Sequence, residues 1–115
     1  MIAVIFEVEP KAEHKQAYLD IAASLRPILE EIDGFISVER FQSLTNENKI
    51  LSLSFFRDEE AVANWRRVEA HRRAQEAGRN SLFADYHLRI ASVIRDYGMA
   101  ERDHVPSDSK EIHDP

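Results

Sequence analysis

The stretch FISVERFQSLTNENKILSLSFFR, residues 35–57, decides the fold. It holds two strand-like runs, 35–44 and 49–57, separated by the polar Thr45-Asn46-Glu47-Asn48, a turn of hairpin length. The two runs are therefore predicted to pair antiparallel. In the second run Leu51, Leu53 and Phe55 share one face, while Ile50, Ser52, Ser54 and Phe56 share the other. Neither face carries a charge in its interior, so both are expected to be covered. Ser52 and Ser54 read as small packing residues rather than nucleophiles.

Upstream, Ile2, Val4, Phe6 and Val8 alternate with Ala3 and Ile5, the pattern of a strand buried on both sides. From Ala12 to about Ile32 the apolar positions Tyr18, Ile21, Ala22, Leu25, Ile28, Leu29 and Ile32 step by threes and fours, which marks an amphipathic helix. Pro27 lacks the amide that would bond to residue 23. A kink or early end is expected there, with Asp33-Gly34 as the stop. Downstream, Asp58 offers an N-cap and Glu59 and Glu60 complement the helix dipole. Ala61, Val62, Trp65 and Val68 then form the stripe of a second helix ending at Gly78. Leu82-Phe83 reads as a short helical link, and the alternation from Tyr86 to Tyr97 as a long last strand.

The order β, α, β, β, α, β is the split βαβ of a ferredoxin-like α+β domain, with one antiparallel sheet and both helices on one face. The other sheet face is too apolar for water. A homodimer packing sheet against sheet, an approximate barrel, is predicted to cover it. Residues 1–98 form this single domain, and 99–115, poor in apolar residues and unperiodic, read as a mobile or draping acidic tail.

Composition narrows the function. With 115 residues there is room for one domain, and 43% hydrophobic content predicts a folded core. Cysteine is absent, which removes disulfides and thiolate chemistry. The net charge of −6 disfavours nucleic acid as a partner, although five arginines lie between Arg66 and Arg79. No run approaches a membrane span and no signal peptide is evident, so a cytoplasmic location is expected. Three glycines make no phosphate loop, and the five histidines lack ligand spacing, so neither a nucleotide nor a metal site is expected.

The segment PILEEIDGF (27–35), Asn64-Trp65 through His71, and the later HRRAQEAGR (71–79) and FADYHLRIASVIRDYG (83–98) resemble the antibiotic biosynthesis monooxygenase (ABM) domain, over roughly residues 2 to 98. The resemblance implies a dimeric α/β barrel with a pocket between helices and sheet in each protomer. It further implies oxidation of an aromatic or quinol-type small molecule by dioxygen without a cofactor. That chemistry needs a substrate anion able to reduce dioxygen, hence a base, an anion-stabilising group and exclusion of bulk water. A non-catalytic pocket for a small hydrophobic ligand is the alternative, and haem degradation a third.

Trp65 stands where these monooxygenases carry a pocket tryptophan; its other reading is a core anchor. Asn64 beside it, and Phe6 and Phe55 on the sheet, are the further expected substrate contacts. Some haem-degrading relatives place a histidine about ten positions after the tryptophan, where this chain has Gln75. His71 lies about 120° around a regular helix from Trp65 and reaches the same pocket only through a break in the helix; otherwise it is a surface residue. His87 and Arg89 share one strand face. They are candidate base and phenolate stabiliser, or members of the dimer surface paired with Glu39 or Asp85. Arg40 is a weaker candidate on the same logic.

Overall fold

A computed structural model describes residues 1–75, 82–101 and 103–106, with the side chains of 70–75 excepted. Strand β1 (Ile2–Pro10) leads through a 3-10 turn (Ala12–His14) into helix α1 (Lys15–Glu30). The hairpin β2 (Phe35–Gln42) and β3 (Ile50–Phe56), helix α2 (Glu59–Gln75) and β4 (Phe83–Ser92) follow. The strands form one sheet in the order β2-β3-β1-β4, with every neighbouring pair antiparallel. This is the ferredoxin-like arrangement expected. Among the described residues no helix is long and apolar enough to cross a membrane.

Local chemistry accounts for most boundaries. The hairpin loop spans 43–49, longer than the expected four-residue turn. It is held by Gln42, whose side-chain amide nitrogen, with two N–H donors, lies 3.0–3.2 Å from four loop carbonyls. The Asp58 carboxylate accepts the Ala61 N–H at 2.9 Å, the predicted N-cap of α2. Gly78 lies outside the described residues.

Helix α1 runs on past Pro27 to Glu30 instead of ending early. Pro27 and Ala23 are exposed, so water can satisfy the carbonyl left without its amide. Leu29, two residues past the proline, is buried against Val38 and Phe56. Burying an apolar side chain of this size stabilises by about 1.5–3 kcal/mol. With the partly buried Ile28, that offsets the roughly 3 kcal/mol cost of a helical proline.

At the α1–β2 junction Gly34 adopts φ +91, a conformation that favours glycine. Its carbonyl accepts the Arg57 N–H at 2.7 Å. The Arg57 side chain also bridges Asp33 at 3.1 Å and Asp58 at 3.0 Å. The Arg57 guanidinium holds the Asp33 carboxyl below its usual range. Asp58 is lowered first by the Ala61 amide it accepts and then by Arg57, whose own pKa is raised by these hydrogen bonds, Asp33 foremost.

Two expectations fail at the C-terminal end. Phe83 is the first residue of β4 rather than part of a helical link, because it joins Phe6, Tyr18 and Tyr86 in an aromatic group with centroids 5.7–6.2 Å apart. The strand stops at Ser92, opposite Ile2 at the start of β1; a last backbone bond runs from the Val93 N–H to the Met1 carbonyl at 3.0 Å, and Arg95 is not on the strand. After the strand the chain folds back: the Asp96 N–H donates to the His104 imidazole at 3.0 Å, and Val105 is buried.

Candidate active-site cavity

The helix-side core is divided. One cluster gathers Leu29, Val38, Phe56, Ala61 and Val62, with Trp65 packed against it. The other gathers Val8, Tyr18 and Ile50, with Phe6 and Phe83. Strand β3 passes from one to the other along a single face: Ile50, Ser52, Ser54, Phe56. The two serines are as buried as their large neighbours but far smaller, and a cavity of about 250 Å³ opens above them. The strand pattern that looked like mere packing is what leaves the space.

The ceiling comes from both helices. Tyr18, Ile21, Ala22, Leu25 and Leu29 of α1 face Val62, Trp65, Arg66 and Glu69 of α2, spacings that keep each set on one helix side. The floor is Val4 and Phe6 of β1, Val38 and Arg40 of β2, Ser52 and Ser54 of β3, and Tyr86, Leu88 and Ile90 of β4. Carbon surface predominates, so a ligand there would be stripped of most of its water. The polar atoms on offer belong to Arg40, Ser52, Ser54, Arg66, Glu69, the two tyrosines and the Trp65 indole.

Arg40 stands out electrostatically. It lies opposite Ser52 in the β2–β3 register, and its Nε is buried without a hydrogen-bond partner. Leaving such a donor unpaired costs about 1–3 kcal/mol, which favours any ligand able to accept from it.

The residues expected from sequence divide between the two sheet faces. Trp65 and Phe6 line the cavity. Asn64 does not; it accepts a hydrogen bond from Arg67 one turn on. Phe55, His87 and Arg89 stand on the opposite face, because Phe55 pairs with Ala3, His87 with Glu7 and Arg89 with Ile5. On that outer face Arg89 is paired with Glu7 at 3.4 Å, rather than with Glu39 or Asp85. The structure therefore brings neither His87 nor Arg89 to Trp65. The side chain of His71 lies outside the described residues. Sequence reasoning passed over Ser52, Ser54, Glu69 and Tyr18, and ranked Arg40 low. The available signal was the pair of serines inside an otherwise apolar strand, with the arginine on the adjoining one. No group of three potential metal ligands occurs among the described residues.

Comparison with known proteins bears on this geometry. The family model for antibiotic biosynthesis monooxygenase matches residues 1–77, two-thirds of the chain. The chain belongs to the ABM family. Within it, a protein of Pyricularia oryzae named jasmonate monooxygenase ABM is 50% identical over 93 residues, covering 81% of this chain. The aligned part spans only 43% of that protein. A solved ABM structure from Deinococcus radiodurans shares the fold with a TM-score of 0.72 at 12% identity, over 85% of this chain and 97% of its own. A solved structure of the MhuD R26S mutant, described with two manganese protoporphyrin IX molecules per active site, aligns with a TM-score of 0.67 at 19% identity, over 85% of this chain and 99% of its own. At such identities the likeness concerns the ABM fold alone.

Proposed function

We propose that this chain is a cofactor-independent oxygenase or oxidase of the ABM type, acting on a small aromatic or quinol-type molecule held in the cavity beneath Trp65. The observation that carries the reading is the hollow itself: a mostly apolar space between two core clusters, with a few polar groups converging on it. The single tryptophan of the chain offers a planar wall to a ring. A volume of about 250 Å³ lies just under the roughly 300–1,000 Å³ of small-ligand sites, which favours one or two rings over a porphyrin.

The chemistry balances without an external reductant for a substrate with an activated CH₂. Glu69, on the cavity wall, takes a proton from that carbon, and Arg66, also on the wall, stabilises the charge on the conjugated oxygen. The carbanion passes an electron to dioxygen, and the resulting pair collapses to a hydroperoxide. Loss of water leaves a carbonyl, so that CH₂ and O₂ become C=O and H₂O, with all four electrons drawn from the substrate. A quinol gives up two electrons and two protons instead, and dioxygen leaves as peroxide.

A second copy of the chain belongs to the proposal. The outer sheet face presents Ile5, Phe41, Leu51, Leu53 and Phe55, with Phe41 43% exposed. Sheet-to-sheet packing of two protomers would remove this surface from water.

The test is dioxygen uptake with a panel of anthrones, hydroquinones and jasmonic acid, the last taken from the name of the Pyricularia relative. Uptake that is lost in Glu69→Gln and in Trp65→Ala is expected. A ligand that binds without uptake across the panel would establish the non-catalytic alternative. A haem titration giving stoichiometric binding, followed by loss of the Soret band when ascorbate is added under air, would favour the third.

A further inference from the structure

We infer that Arg40 and the adjoining Ser52 form a carboxylate-anchoring subsite, so that the ligand of the cavity is an organic acid with an apolar body. The inference rests on the cavity reading above and adds the chemical class of the ligand.

Three observations converge. Arg40 lines the cavity, and its Nε is buried with no partner. The residue sits on β2 in register with Ser52, whose side chain lines the same space and is 9% exposed. The lining also includes Val38, Leu25, Ile21 and other carbon surface, which cannot accept a hydrogen bond. A guanidinium edge presents Nε–H and one terminal N–H in parallel. That spacing matches the two oxygens of a carboxylate and is only half used by a single phenolate oxygen. An apolar ligand would leave the donor unpaired, and a neutral carbonyl would leave the charge uncompensated.

The charges facing Arg40 across the cavity must also be counted. Arg66 and Glu69 of α2 line it, three residues apart on the same helix. Glu69 has an interaction of its own, and Arg66 adds positive charge beside it.

The experiment compares 2-naphthoate with its methyl ester, read by quenching of Trp65, the only tryptophan, and by calorimetry. The acid is expected to bind about 10- to 100-fold tighter than the ester, the worth of a charge-assisted hydrogen-bond pair. Arg40→Met should abolish that preference while leaving ester affinity within about threefold, and Arg40→Lys should restore part of it. Arg40→Met should melt no lower than the wild type, since it removes an unpaired buried donor. A residue with a merely structural role would give the reverse pattern: a lower Tm and equal loss for both probes.

Equal affinity of acid and ester in the wild type, with binding intact, would overturn the inference and leave the cavity reading standing. Failure of both probes to quench Trp65 would overturn the inference together with that reading.

Discussion

Gly34→Ala is the substitution whose cost can be worked most fully. The left-handed φ of +91 strains any L side chain, by about 1–2 kcal/mol. An added Cβ would also stand 2.8 Å from the Ala61 Cβ and 3.4 Å from the Arg57 guanidinium. Ala61 is 1% exposed, inside the core cluster, and its N–H is tied to the Asp58 cap, so it has little freedom to withdraw. Overpacking of this kind costs about 1–3 kcal/mol. Against these stands about 0.4–1 kcal/mol gained by restricting the unfolded chain. The expected net loss is about 1–5 kcal/mol, a large share of the roughly 5–15 kcal/mol of a small domain.

Urea unfolding followed by far-UV circular dichroism measures that loss. Gly34→Asn separates the two causes, because asparagine tolerates left-handed backbone but still carries the offending carbon. It should recover only part of the loss, whereas Ala61→Gly combined with Gly34→Ala should show favourable coupling. Ala61 lies about one turn before Trp65 on α2, so relief of the contact should also alter tryptophan emission. A loss under about 1 kcal/mol, or full recovery with asparagine, would refute the assignment of the cost to the Ala61 contact.

Two further outcomes follow from charge and from the sheet. Asp33 and Asp58 have folded pKa values below their unfolded ones, so their contribution is present above about pH 4 and is lost as pH falls through the folded values. Arg57→Ala should flatten the acid limb of a Tm-against-pH curve, and only in part, since the Ala61 amide still holds Asp58 low; an unchanged limb would contradict this. Leu53→Asp, on the outer face opposite Ile5 and Glu39, should shift sedimentation from two chains to one. A wild type that already sediments as one chain would remove the proposed dimer.

The sequence made the skeleton legible for reasons that can be located. Alternation in 35–57 and 2–8 gave the strands; Asp58 marked the start of α2, and Gly34 the junction before β2, although α1 itself ends earlier, at Glu30. Of the outcomes Pro27 allowed, the early end does not occur, because an exposed proline followed by a buried Leu29 is decided by packing rather than propensity. The site was harder. His87 and Arg89 were correctly placed together, but which face they share depends on the pairing of β4 with β1, and periodicity within one strand carries no register. Arg40 could not be ranked from sequence, since its interest lies in an unpaired Nε, a property of its surroundings.

The most direct test of the account uses backbone and indole N–H resonances during titration with 2-naphthol, a neutral two-ring probe that does not depend on the carboxylate inference. The largest shifts are expected at the Trp65 indole and the Val38, Ser52 and Ser54 amides. Shifts gathered instead at Phe41 and His87, with the Trp65 indole unmoved, would place the ligand on the outer sheet face and contradict the cavity as the functional site.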